Sequence, residues 1–140
     1  MSTLRLLLFR CGGQVLAVEA GVIREILSAT VPTRIPGTPP AVLGLVNVRG
    51  TLVPVVDAAA AVGLAALDGA GTLVLVDRRG KPVALAVDEV LDLVTVSSSA
   101  LDDHASLPGV RPDLVRAVGS TGGHSFVHLA IDALLEPLLP

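Results

Sequence analysis

The feature that most constrains this chain is an internal repeat. Residues 4–63 and 73–136 carry one order of elements. An apolar run, Leu4–Arg10 in one unit and Leu73–Arg78 in the other, leads to a turn, Gly12-Gly13 or Arg79-Gly80-Lys81. Val15-Leu16-Ala17-Val18-Glu19 then matches Ala84-Leu85-Ala86-Val87-Asp88. Next come Val22-Ile23-Arg24-Glu25-Ile26-Leu27 and Val90-Leu91-Asp92-Leu93-Val94. Each unit continues with a Pro-Gly-x-x-Pro element, starting at Pro36 and Pro108, and an apolar run, Val42–Val46 and Leu114–Val118. Each ends on Asp-Ala, at Asp57-Ala58 and Asp132-Ala133. Two copies spaced by roughly 70 residues exceed solenoid periods and point to a pseudo-symmetric pair of half-domains.

Each unit holds about five short apolar runs punctuated by Gly and Pro, the pattern of small β-barrels. The reading is a mainly all-β fold of two five-stranded barrels packed on each other, with short helices. One short helix spans Ala58–Val62 with Asp57 as its N-cap, and its counterpart runs from Asp132, the corresponding cap, to Leu135. At 140 residues the chain is one domain, residues 1–140, and either half alone would be marginal.

Several functions are disfavoured. Phe9 and Phe126 are the only aromatic residues and the net charge is −3, so a base-stacking or phosphate-binding surface for nucleic acid is not expected. The most hydrophobic stretch, Leu52–Leu67, is interrupted by Pro54, Asp57 and Gly63, unlike a membrane span of about 20 apolar residues. The start of the chain reads as a strand rather than a signal peptide. Cys11, the single cysteine, rules out an internal disulfide, and the cytoplasm is the default compartment. His104, His124 and His128 show no metal-ligand spacing; in a strand His124 and His128 would lie about 13 Å apart. Ser97-Ser98-Ser99 with Asp102, Asp103 and His104 could suggest a small hydrolase, but proximity in sequence supplies no nucleophile–base geometry. No cofactor or metal site is expected, nor enzymatic activity.

The segment Gly44–Asp57 breaks the symmetry. It reads as strand, tight turn, strand and helix cap. Asn47 suits the first position of a type I turn, Gly50 the left-handed position that closes it, and Val48 and Arg49 the tip. The second unit has Gly119-Ser120-Thr121-Gly122-Gly123-His124 there, with no arginine. Spacing alone allows a solvated turn arginine or one poised for a carboxylate.

With Val22-Ile23-Arg24-Glu25-Ile26, Ile35-Pro36-Gly37-x-Pro39, Gly44-x-x-Asn47-Val48-Arg49-Gly50, Pro54-Val55-Val56-Asp57 and Leu85-x-Val87-Asp88-x-Val90, the chain resembles the CheW-like family of bacterial chemotaxis coupling proteins. The resemblance implies two SH3-like barrels. It also implies a non-catalytic, cytoplasmic adaptor between the cytoplasmic tails of chemoreceptors and the regulatory domain of a histidine kinase, recruited to receptor arrays. In that family the residues matching Arg49 and Glu25 are linked to partner contacts. Val48, where leucine is usual, and the alanines at 58–61 depart from the pattern. Val22, Ile26, Leu27, Ile35 and Val42 are candidate apolar contacts, with core packing the equal alternative. A scaffold of the same architecture serving surface motility or development fits the same residues.

Overall fold

A computed structural model of the chain describes residues 2–103 and 110–139. In chain order the strands are β1 (Thr3–Cys11), β2 (Gln14–Glu19), β3 (Ile23–Ser28), β4 (Val42–Val48) and β5 (Thr51–Asp57), followed by the short helix α1 (Ala58–Ala61). The same order recurs as β6 (Thr72–Arg78), β7 (Lys81–Val87), β8 (Glu89–Ser97), β9 (Val115–Thr121), β10 (His124–Leu129) and α2 (Ile131–Leu135). No helix among the described residues is long and apolar enough to cross a membrane.

The strands form two five-stranded sheets, β8-β1-β2-β10-β9 and β3-β6-β7-β5-β4. The first contains both ends of the chain and is called here the terminal barrel; the second is the middle barrel. Neither follows the repeat. The first two strands of each unit join the last three of the other, so β1 pairs with β8 and β6 with β3, while β2 meets β10 and β7 meets β5 in parallel. Each sheet curls until the chain beyond its third-strand edge bridges the opposite edge. Thr33 bridges Leu45 through bonds of 2.8 and 2.9 Å, and Asp102 bridges Val118 through two of 2.8 Å. Gly44 makes the first bridge possible: its φ is +143°, and a Cβ there would stand 2.1 Å from the Thr33 carbonyl oxygen.

The inner strands carry continuous apolar runs, Leu6–Phe9, Leu16–Val18, Leu73–Val76 and Val83–Val87, because both of their faces are covered. Along β1, Leu6 and Leu8 point into the terminal barrel with Ala17, Val96 and Phe126, whereas Leu7, Phe9 and Cys11 point the other way. Along β7, Ala84 and Ala86 fill the middle barrel, whereas Val83, Leu85 and Val87 join Leu7 and Phe9 in a layer between the barrels. This central layer is the main core. Burial there pushes the Cys11 thiol up to about 12, so it stays a neutral apolar group.

Counting from the hairpin turns gives the true register of the repeat. Cys11 and Gln14 flank one turn, Arg78 and Lys81 the other, so Ala17 corresponds to Ala84. The sequence match of Val15–Glu19 with Ala84–Asp88 is therefore two residues out. A slip of two leaves every side chain on its original face, so the apolar pattern cannot reveal it. The helix caps repeat the same slip. Asp57 caps α1, accepting from Ala60 N at 3.0 Å, and its other oxygen accepts from Leu67 N at 2.9 Å. Asp132 is not a cap: the N-cap of α2 is Ala130, which places Asp132 inside the first turn.

Where the copies differ, packing compensates. The facing pair Val46–Val53 inside the middle barrel becomes Gly119–Phe126 inside the terminal one. A Cβ on Gly119 would lie 2.7 Å from Phe126 Cζ and 2.6 Å from the end of the flexible Leu101 side chain. Val55 becomes His128, which is 3% exposed, and its Nε2 has no hydrogen-bond partner among the described residues. Glu19 Oε1 on β2 is 3.9 Å away, and Arg116 on β9 and Asp132 on α2 line the same small hollow. Burial holds the imidazole below its usual pKa; Glu19 opposes this and Arg116 adds to it.

Gly119→Val is expected to destabilise the fold by about 1–3 kcal/mol through overpacking. Adding Phe126→Val, which recreates the Val46–Val53 pair, should recover most of the loss; additive losses in urea unfolding would contradict this reading. His128 supplies a pH test. Its folded pKa lies below its unfolded value, so the folded state binds fewer protons and stability declines as pH falls through about 6.5. His128→Val, copying Val55, should flatten the unfolding midpoint between pH 7 and 5.5; an unchanged slope would assign the effect to other groups.

Candidate docking site

The hairpin of β4 and β5 turns in two residues. Val48 pairs with Thr51, leaving Arg49 and Gly50 at the tip with φ of 51° and 86°. Positive φ at both positions defines a type I′ turn, which matches the twist of the flanking strands. The expected type I turn with Val48 at its tip is thus corrected: Val48 belongs to the strand. Asn47 still organises the tip, its Oδ1 accepting from Gly50 N at 2.7 Å. An arginine in the left-handed region is strained, since its Cβ crowds the carbonyl that follows.

The guanidinium meets Glu25 on β3. Arg49 Nη1 donates to Glu25 Oε2 at 2.8 Å, and Nη2 donates to Oε1. This forked geometry holds the Glu25 carboxyl below the usual carboxylate range and raises the Arg49 pKa. Arg49 remains 70% exposed and Glu25 28%, so the pair offers an outward charged edge. The two residues singled out from the sequence thus form one unit, placed by strands from opposite edges of the middle barrel.

Beside this pair runs the seam between β3 and β4, bridged at Thr33–Leu45 among the described residues. Three adjoining hollows line it. One of about 280 Å³ lies among Leu27, Thr30, Val46, Val48, Arg49 and Leu73. The next, about 450 Å³, shares Thr30 and Leu73 and extends to Val31, Arg34 and Leu43. A third of about 300 Å³ shares Arg34 and Leu43 and reaches Ile35, Pro36 and Val42. The seam is an apolar trough with Arg49 towards one end and Arg34 towards the other.

The apolar candidates separate by burial. Ile26 is 46% exposed and Ile35 37%. Leu27 is half-buried against the interior of the middle barrel, and Val22 is half-buried against the central layer. Val42 is buried in that layer, so it is a core residue whose side chain supports the trough from beneath. Sequence reasoning missed Val31, Leu52 and Leu93, which are 94%, 63% and 46% exposed. For Leu93 a signal existed: in the structural register it is the repeat mate of Ile26.

The serine run serves local structure. Ser97 Oγ accepts from Ser99 N at 3.4 Å, and Ser98 Oγ donates to the Ser2 carbonyl at 3.1 Å. His104 lies outside the described residues.

Two five-stranded barrels share a central apolar layer, with a charged hairpin beside a bridged seam. The chain belongs to the CheW-like domain family, whose model matches residues 5–138. It is 34% identical over 113 residues to a probable chemotaxis protein CheW of Rhizobium etli, covering 79% of this chain and 71% of that one. It is 33% identical over 114 residues to the chemotaxis protein CheW of Rhizobium meliloti, covering 80% and 72%. The scaffolding protein TtCheW of Thermoanaerobacter tengcongensis shares the fold, with a TM-score of 0.85 at 19% identity over 96% of this chain and 94% of that one.

Proposed function

We propose that this chain is a non-catalytic cytoplasmic adaptor that couples chemoreceptors to a histidine kinase in chemotaxis-type signalling. Family membership supports a chemotaxis scaffold. The observation that carries the residue-level reading is the forked Arg49–Glu25 pair beside the apolar seam. A strained tip residue, fixed by a carboxylate on the opposite edge of the barrel, presents its remaining donors at a constant height above an aliphatic trough. Binding there needs no chemistry. Aliphatic side chains of a partner would enter the trough over Leu27 and Leu43, and the charged edge would set register and exclude wrong partners. The cytoplasmic tail of a receptor and the regulatory domain of the kinase are the proposed partners, and recruitment to receptor arrays follows from binding both.

Exposed ion pairs contribute little to stability, and glycine removes the strain at a left-handed turn position. Arg49→Gly and Arg49→Ala should therefore fold, with Arg49→Gly melting no lower than the parent. Arg49→Ala should bind a purified receptor tail or kinase regulatory domain at least tenfold more weakly in calorimetry. Parental affinity for both would overturn the role given to Arg49.

A further inference from the structure

The four hairpin tips of the fold are not alike. All four turn in two residues with positive φ at both. In the terminal barrel the tips are Gly12-Gly13 and Gly122-Gly123; in the middle barrel they are Arg49-Gly50 and Arg79-Gly80. Arg79 sits at φ 52°, as strained as Arg49, where the terminal barrel uses unstrained glycine. Arg49 is matched by its own carboxylate; Arg79, among the described residues, shares its acid with Arg78. It donates to Glu136 Oε2 at 3.0 Å, an oxygen that also accepts from Arg78 at 3.0 Å.

Arg78 is nearly enclosed, 11% exposed, and also donates to the Leu139 carbonyl, so it holds the segment after α2 in place. Arg79 is 69% exposed. Two residues on, Lys81 has no ion pair among the described residues. Among the described residues, three cations thus face the Glu136 carboxylate, on a chain whose net charge is −3. They rim a cleft of about 670 Å³ on the outer side of β5 and β7, floored by Pro54, Pro82, Val83 and Leu139. Leu52, 63% exposed, stands at its edge.

We infer that this cleft is a second docking site, separate from the seam, for an acidic segment of a partner protein that carries an aliphatic side chain. Carboxylates of that segment meet Arg79 and Lys81, adding anions to the single Glu136 carboxylate that the described residues supply there. The aliphatic side chain enters over Val83 and Leu139 and covers Leu52. A nucleic acid is disfavoured by an apolar floor without rings for stacking. A membrane surface is disfavoured because the apolar floor is recessed and a single leucine projects. The site does not depend on the receptor and kinase roles proposed for the seam.

The intact ¹⁵N-labelled chain can be titrated with a synthetic glutamate–leucine peptide and with its lysine–leucine counterpart. The inference predicts saturable shifts of the Leu52, Arg79, Lys81 and Val83 amides with the acidic peptide only. Arg79→Glu with Lys81→Glu should weaken that binding at least tenfold and leave Arg49-dependent partner binding unchanged. Arg79→Gly, which copies the terminal-barrel turns, should keep the fold and weaken peptide binding, so a misfolded charge reversal would not leave the question open. No saturable shift at the cleft, equal response to both peptides, or response only to phosphatidylglycerol vesicles or a DNA oligonucleotide would overturn it.

Discussion

The apolar layer between the barrels is the constraint on which the rest of this structure depends. Leu7, Phe9, Leu16 and Val18 from the terminal barrel meet Val74, Val76, Val83 and Leu85 from the middle one. Each such side chain contributes about 1.5–3 kcal/mol by leaving water. The barrel interiors are small by comparison: Ala84 and Ala86 leave room for Leu73 and Leu75 in one, and Ala17 for Leu6, Leu8 and Phe126 in the other. Strand exchange reinforces the layer. Each barrel takes its first hairpin from one unit and three strands from the other, so neither unit closes a sheet by itself.

Holding both barrels to one scaffold leaves their distal ends free to diverge. At the tips, Gly12 and Gly122 of one barrel correspond to Arg79 and Arg49 of the other. Inside, Val46–Val53 gives way to Gly119–Phe126, and Val55 to His128. The interior changes keep volume roughly constant; the tip changes introduce strain and charge with no benefit to folding. Strain kept at an exposed position is best accounted for by recognition, which is why both proposed surfaces lie on the middle barrel.

Strands and turns were legible in the sequence because Gly and Pro punctuate it at the hairpin reversals, and the number and spacing of the apolar runs pointed to two five-stranded barrels, an architecture the family resemblance also implied. The strand exchange was not, because nothing local in β1 says whether its second neighbour is β3 or β8. Register was legible only to within two residues, as Asp132 shows: period-2 alternation is blind to that slip. The turn type was missed because Val48 and Arg49 both fit a four-residue type I reading, and only the pairing of Val48 with Thr51 distinguishes the alternatives. Core and surface could not be told apart for Val42 because Val42, Leu43, Leu45 and Val46 are all aliphatic, so the sequence hides the alternation of buried and half-buried positions that β4 has. Arg49 and Glu25 were named separately; their pairing depends on a barrel closure that brings β3 and β4 together.

The central claim is that the barrels are stable only through the layer they share. Residues 22–88 test it most directly, since they contain all five strands of the middle barrel, with its interior, in one continuous segment. Alone, that segment would expose Val74, Val76, Val83, Leu85 and Val87, a loss of roughly 10 kcal/mol, comparable with the whole stability of a domain. The account predicts a fragment with poorly dispersed amide resonances and no cooperative thermal transition. A dispersed spectrum with two-state unfolding would contradict it.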